Sequence, residues 1–369
     1  MQKNLMRCAL TLAACGAALA LNGCGSSFYS VGGTVSGLST KESVTLLLNG
    51  GEAQSVGTNG VFTFSNSLTS ASGYDVTVKS HPPGVSCAVR NGSGMGGSSN
   101  VINVGVSCAA GTETVLYSFG SSATDGSAPL SGLIMDGAGN LYGTTSAGGT
   151  YDLGTVFKIS SNGTETILHA FSGGTTDGQF PLRRLVMDSA GNLYGTTALG
   201  GANDLGTVFK ISAAGTETVL HSFAGGTTDG ARPEAGLIMD SAGNLYGTTL
   251  VAGANQAGTV FKIDLTTGTE TVLYSFSDNT TDGADPQAAL TMDSAGNLYG
   301  TTVDGGAHSD GTVFKITGTG TETVLHSFAG GTTDGAKPQA ALIMDGAGDL
   351  FGTTQSGGTY NGGTVFMID

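Results

Sequence analysis

The segment Gly-Thr-Glu-Thr recurs at Gly111, Gly163, Gly215, Gly268 and Gly320, at spacings of 52, 52, 53 and 52 residues. A repeat of this length confines the chain to architectures in which one supersecondary unit stacks on the next. Each unit holds four β-prone runs, shown in the first by Thr112 to Phe119, Leu133 to Asp136, Leu141 to Thr145 and Thr155 to Ile159. The helical repeat families need a 3.6-residue apolar period, which is absent here. Leucine-rich and hexapeptide solenoids have shorter periods and one main strand per turn. Four strands in roughly 50 residues make a propeller blade, and propellers use roughly four to eight of them. Residues 111–369 therefore predict a five-bladed β-propeller. The array opens on a strand without a blade of its own and stops just after Gly363 to Ile368. That opening strand is expected to complete the last blade and close the ring, removing the exposed sheet edges.

Residues 29–110 read as a separate small β-sandwich. Short runs at Val44 to Leu48, Val61 to Phe64, Tyr74 to Lys79 and Val101 to Val106 are divided by turns at Asn49-Gly50, Asn59-Gly60 and Pro82-Pro83. The order of these runs resembles prealbumin-like or immunoglobulin-like modules of bacterial surface proteins, which implies a spacer or presenting domain. Gly92 to Gly97 opens no helix and follows no βαβ pattern, so it reads as a flexible hairpin rather than a phosphate loop.

The start of the chain reads as an address. Lys3 and Arg7 precede an apolar run from Cys8 to Leu21, too short to span a bilayer. Residues 1–23 are expected to be a signal peptide and 24–28 a linker. Leu21-Asn22-Gly23-Cys24 resembles the lipobox of bacterial lipoproteins, which implies lipidation at Cys24; Leu12-Ala13-Ala14-Cys15 makes Cys15 the alternative. The expected location is the outer membrane or cell surface, or secretion if the thiol is not acylated. In that oxidising compartment Cys87 and Cys108 remain as an even pair and are expected to be bonded. With 28 acidic and 13 basic residues the net charge is -15, which repels a phosphate backbone, so no nucleic-acid partner is expected.

Units such as Asp240-Ser241-Ala242-Gly243-Asn244-Leu245-Tyr246-Gly247-Thr248-Thr249 and Gly258-Thr259-Val260-Phe261-Lys262-Ile263 closely resemble the Gloeo/Verruco (GloVer) tandem repeat. The resemblance spans Gly111 to Asp369 and implies a repeat array outside the cytoplasm; it implies no biochemical activity. The Asp-x-x-Gly-Asn-Leu-Tyr pattern is also similar to blades of streptogramin lyase and gluconolactonase, without carrying a catalytic residue across.

Candidate chemistry is sparse. Asp136, Asp188, Asp240, Asp293 and Asp345 precede Gly-Asn or Gly-Asp as turn aspartates do, without the acidic spacing of a calcium loop. Asp125, Asp177, Asp229, Asp282 and Asp334 sit in Thr-Asp-Gly-x-x-Pro and read as loop caps. His169, His221 and His326 occupy one position in three units, too far apart in a ring to share an ion, so they are expected to be structural, with no metal and no cofactor. No Gly-x-Ser-x-Gly, His-Glu-x-x-His or Walker segment occurs.

Near-identical units also show which positions the blade does not dictate. After Asp-Gly come Ser127-Ala128, Gln179-Phe180, Ala231-Arg232, Ala284-Asp285 and Ala336-Lys337. The loop between the second and third strands varies at Tyr151-Asp152, Asn203-Asp204, Asn255-Gln256, His308-Ser309 and Tyr360-Asn361, and both sets belong on one propeller face. Arg183 and Arg184 replace small residues found in the other units, and Glu234 is placed to meet them. The candidate ligand-binding set is Arg183, Arg184, Glu234, Phe180, Arg232, Asp285 and Lys337. The expected function is a lipid-anchored or secreted cell-envelope protein whose monomeric propeller binds a glycan or protein ligand. The alternatives are a propeller enzyme of the lyase or lactonase kind, with acidic residues or histidines converging on the axis, and a structural surface component.

Overall fold

The computed structural model describes residues 28–369 except Ala71, Ser98, Thr112 and Glu113, so the leader, Cys15 and Cys24 lie outside the described residues. Those residues form strands and turns with no α-helix. The chain divides into two compact units between Thr114 and Val115.

The first unit contains two four-stranded sheets. One orders Gly60–Thr63, Val31–Ser36, Val101–Ala110 and Val85–Arg90; the other orders Glu52–Val56, Val44–Leu48, Gly73–Ser80 and Ser93–Met95. Alternate side chains of a strand point to opposite faces, so Val44, Leu46 and Leu48 turn inward and meet Val31, Val35, Phe62, Val104 and Val106 in a single core. Antiparallel pairing sets Cys87 opposite Cys108, and the two are disulfide-bonded. Glu52–Val56 and Val85–Arg90 escape the sequence reading because they are sheet edges in which alternate side chains are exposed and small or polar residues (Ala53, Ser55, Ser86, Ala88) interrupt the apolar ones. Ser93–Met95, read above as a flexible hairpin, pairs with Gly73 to Asp75.

The second unit repeats one meander. In the second repeat it runs Val186–Met187, Leu193–Thr197, Thr207–Ile211 and Glu217–Ser222, hydrogen-bonded in that order. Leu193–Thr197 is buried along its whole length because sheets cover both of its faces. Gly195 is required within it: a Cβ there would lie 2.6 Å from the Phe209 ring and 2.8 Å from Leu185. Phe209 stacks edge-on against Phe171 of the preceding repeat, centroids 5.1 Å apart. The same contact recurs as Phe119–Phe157, Phe223–Phe261, Phe276–Phe314 and Phe328–Phe366. Around each such pair between neighbouring repeats, Leu and Val side chains build a core, as Val156, Leu185, Leu193 and Ile211 do between the first and second. Three equivalent cores join the later repeats.

The two ends of the array differ from the expectation. The last sheet has three strands, Ile343–Met344, Leu350–Thr353 and Val365–Ile368, and Val115 to Phe119 is not a strand. Leu133 is 47% exposed where its counterpart Leu185 is 1% exposed, and Val365 is 83% exposed where Val208 is fully buried. Every other outer strand follows its neighbour through a tight turn, such as Gly163 N–H to Ser160 O at 2.8 Å, that fixes register locally. The opening segment has no such turn and would have to meet the last strand across the whole array, against the entropy of a long loop. Ile134, Val186, Ile238, Thr291 and Leu342, one from each repeat, nevertheless line a common channel.

Candidate functional site

The loops that join one repeat to the next are organised by a buried aspartate. Asp177 Oδ2 accepts bonds from Ser172 N–H at 2.7 Å and Ser172 Oγ at 2.9 Å, while Oδ1 accepts from Gly178 N–H at 2.7 Å. Although burial acts to raise its pKa, these bonds and His169 hold the Asp177 carboxyl below the usual range. Gly178 packs so tightly that a Cβ would come within 2.4 Å of the Thr197 side chain. The chain then pairs Gly178–Gln179 with Leu199–Gly200, and the same two-stranded ribbon forms in all five repeats. Both variable loop sets are thus tied together on one side of each repeat, as the sequence predicts.

The backbone at the variable positions is uniform where the side chains are not. Ala128, Phe180, Arg232, Asp285 and Lys337 all have φ between 53° and 60°. Asp152, Asp204, Gln256, Ser309 and Asn361 in the opposing loops lie between 52° and 64°. A left-handed residue other than glycine is uncommon, and bulky ones are more so. Phe180 is held there by its N–H to Leu153 O at 2.9 Å and by its carbonyl accepting from Ala198 N–H at 3.1 Å. Arg232 repeats both bonds with Leu205 and Leu250.

The seven candidate side chains fall into three places. Phe180, Arg232 and Glu234 line a cleft of about 630 Å³ together with Ser146, Leu182 and Leu199. Arg183 and Arg184 line the adjoining channel mouth, of about 390 Å³, with Ser131, Gln287 and Gln339. Asp285 and Lys337 line neither; Lys337 pairs with Asp304 and donates to Ser309 O at 2.8 Å. Burial, and then the neighbouring Asp304, push the Asp285 pKa up. The expected meeting of Glu234 with the two arginines takes another form. The Glu234 carboxylate pairs with Arg232 at 2.5 Å, and Arg183 Nε donates to the Glu234 main-chain carbonyl. Arg232 competes successfully because it stands two residues away on the same loop. Below the mouth the lining is mostly apolar, with Arg184 and Thr291 the polar exceptions, and among the described residues neither it nor the mouth includes an acidic residue or a histidine.

A second constellation lies between repeats. His169 Nε2 is 3.1 Å from Asp177 Oδ2, His221 Nε2 is 3.1 Å from Asp229 Oδ2, and His326 Nε2 is 3.1 Å from Asp334 Oδ2. Tyr117 and Tyr274 take the same position in the other units and donate to Asp125 and Asp282, each at 2.9 Å. Beside Asp125, Asp177, Asp229 and Asp282 stands a glutamate from the next repeat: Glu165, Glu217, Glu270 and Glu322 respectively. His169, Asp177 and Glu217 bring one donor atom each to within 4.8 Å of one another, as do His221, Asp229 and Glu270. The Oε1 atoms of Glu165, Glu217, Glu270 and Glu322 are buried without a hydrogen-bond partner. Burial first, and the adjacent aspartate second, push the Glu217, Glu270 and Glu322 carboxyls up to about 7.

The remaining aspartates make turns. Asp188 Oδ1 accepts from Ala190 and Asn192 N–H, and its Oδ2 from Asn192 Nδ2 and Tyr194 Oη.

A family model described as the Gloeobacter/Verrucomicrobia repeat matches residues 78–294 and 278–369, most of the chain. The chain belongs to the Gloeobacter/Verrucomicrobia repeat family. No curated protein matches it. Among solved structures, this Gloeobacter/Verrucomicrobia repeat protein is similar to a candidate gluconolactonase at 15% identity and a TM-score of 0.38, covering 64% of this chain and 73% of that one. It is similar to TolB from Acinetobacter baumannii at 13% identity and a TM-score of 0.37, covering 62% and 51%. It is also similar to the extracellular domain of a candidate hybrid two component system from B. thetaiotaomicron at 11% and 0.38, covering 66% and 32%. The chain thus spans about half of the TolB chain and a third of the other. Likeness at this level assigns no residue of the repeat protein a role.

The histidine and aspartate of each inter-repeat cluster are visible as repeated residues, but their glutamate partner is not visible from spacing alone. The available signal is that every Gly-Thr-Glu-Thr segment keeps its glutamate, and Glu165, Glu217, Glu270 and Glu322 lie on outer strands, where a solvated side chain would be free to vary between units.

Proposed function

We propose that this repeat array is a five-bladed ring that serves as a binding module of an exported, lipid-anchored cell-envelope protein, presented by a small β-sandwich. The observation that carries the reading is the left-handed position shared by Ala128, Phe180, Arg232, Asp285 and Lys337, where one backbone displays five different side chains. Backbone strain kept at bulky residues points to function, and loops on a rigid scaffold are where binding residues concentrate. The apolar Phe180 and Leu182 beside Arg232, Glu234 and the two mouth arginines suit a polar ligand with an apolar face, such as a glycan or a protein loop. The test is a glycan array probed with the chain from residue 25, alongside Phe180→Ala and Arg184→Ala proteins of unchanged melting temperature. Retention lost in both variants supports the cleft and mouth as the site. Retention unaffected by either would overturn it, and no glycan bound would direct the search to protein ligands.

The exposed apolar residues at the array ends, Leu133, Met135, Ile343 and Val365, favour a second element of the proposal. They are the counterparts of residues that pack together at the other four junctions, so they complement one another. We infer that the ring closes within one chain, Val115 to Phe119 adding to Val365–Ile368; the rival is closure by another copy, read as a dimer in light scattering.

A further inference from the structure

We propose that His169, Asp177 and Glu217, and again His221, Asp229 and Glu270, are two binding sites for a first-row divalent transition metal ion such as Zn²⁺. The proposal is independent of the cleft and mouth described above. Each site offers one imidazole nitrogen and two carboxylate oxygens with all three donor atoms inside 4.8 Å. A tetrahedral ion with bonds of about 2.0 to 2.2 Å needs donors about 3.4 Å apart, so the closure required is roughly 1 Å, with water as the fourth ligand. Imidazole with carboxylate suits Zn²⁺ and its neighbours, whereas Ca²⁺ takes an all-oxygen set of six or more ligands.

Two further observations point to a cation here. Glu217 and Glu270, whose carboxyl groups stand against Asp177 and Asp229, each have a buried Oε1 without a hydrogen-bond partner. A buried acceptor left without a donor is costly, and an ion bridging the two carboxylates would satisfy it. The aspartates are fixed in place by Ser172 and Gly178 in one site and by Ala224 and Gly230 in the other, so the loop presents a preformed ligand. On binding, the imidazole takes its Nδ1–H tautomer and turns the Nε2 lone pair to the metal, while any proton on the glutamate leaves to solvent.

Tyr117 and Tyr274 remove the nitrogen ligand from two further clusters. Among the described residues the full donor set is assembled at two sites, each with its own histidine.

The experiment is calorimetric titration of Zn²⁺ into the purified, untagged protein after dialysis against a chelator. His221→Tyr is expected to bind one ion per chain fewer than the parent, and His169→Tyr/His221→Tyr two fewer. Tyrosine is chosen because the fold already accepts it at Tyr117 and Tyr274, so the variants should melt with the metal-free parent. Zn²⁺ should raise the melting temperature of the parent by more than that of the double variant, and Ca²⁺ should leave both unchanged. Absence of saturable Zn²⁺ binding by the parent, or a stoichiometry unchanged in the double variant, would overturn the proposal.

Discussion

His221 Nε2 lies 3.1 Å from Asp229 Oδ2, and one repeat later Tyr274 Oη meets Asp282 Oδ2 at 2.9 Å. An imidazole and a phenol interchange because both put a donor over the same carboxylate. Asp229 also accepts from Ala224 and Gly230 N–H, so Asp229→Ala strands several buried donors at once and is expected to cost about 3 kcal/mol. His221→Tyr in metal-free protein should stay within about 1 kcal/mol of the parent, since a donor is retained. Chemical denaturation of both variants checks the pair, and equal losses would contradict this account.

Glu322 gives the pH dependence a direction. Burial, then Asp282, raise its pKa from 4.5 to about 7, so the folded state holds a proton that the unfolded chain has released. Stability from this group is present in full below about pH 4.5 and is lost as pH climbs to about 7. Glu322→Gln should therefore melt with the parent at pH 4.5 and above it at pH 8. A gain of equal size at both pH values would rule out the carboxyl as its source.

Reducing the Cys87–Cys108 bond should weaken only the first unit. Its sequence separation is 21 residues, and a loop of that length is worth about 3 kcal/mol in the chain-entropy account. Calorimetry with and without reductant should show one transition shifted down and the repeat-array transition unmoved; a coincident shift of both would mean that the two units unfold together.

Ring closure predicts a particular neighbour. Val156 pairs with His169, and the same register carried to the array ends sets Val365 opposite Tyr117. A Tyr117→Cys/Val365→Cys protein should oxidise to an intramolecular disulfide that shifts its mobility as a monomer. Cross-linked dimers, formed in preference over a range of dilution, would instead support closure by a second copy.

The period and the strands of each repeat were legible because Leu-Tyr-Gly-Thr-Thr and Thr-Val-Phe-Lys-Ile are strong β runs between glycine turns, and these strands appear at the expected residues. The inner strands fall within the expected runs, Ile134–Met135 inside Leu133 to Asp136, whereas the two-residue loop ribbons carry too few residues for any pattern to register. Contacts between repeats were harder still. Phe171 against Phe209 and Glu217 against Asp177 join residues about 40 apart whose meeting depends on how sheets stack, which no local rule supplies. Arg183 and Arg184 were found by their departure from sister repeats, yet of Glu234, expected to meet both, only the main-chain carbonyl meets Arg183, because proximity along its own loop gives its carboxylate to Arg232.

The left-handed loop position has a consequence for how such an array changes over time. Its conformation is set by main-chain bonds inside each repeat, such as Phe180 N–H to Leu153 O, and not by the side chain it carries. Unequal exchange between near-identical repeats would therefore reassign the displayed residue while leaving each unit able to fold. Were these side chains to bind as proposed, recognition in such an array would be inherited one repeat at a time, and new combinations would be open to recombination without passing through unfolded intermediates in sequence space.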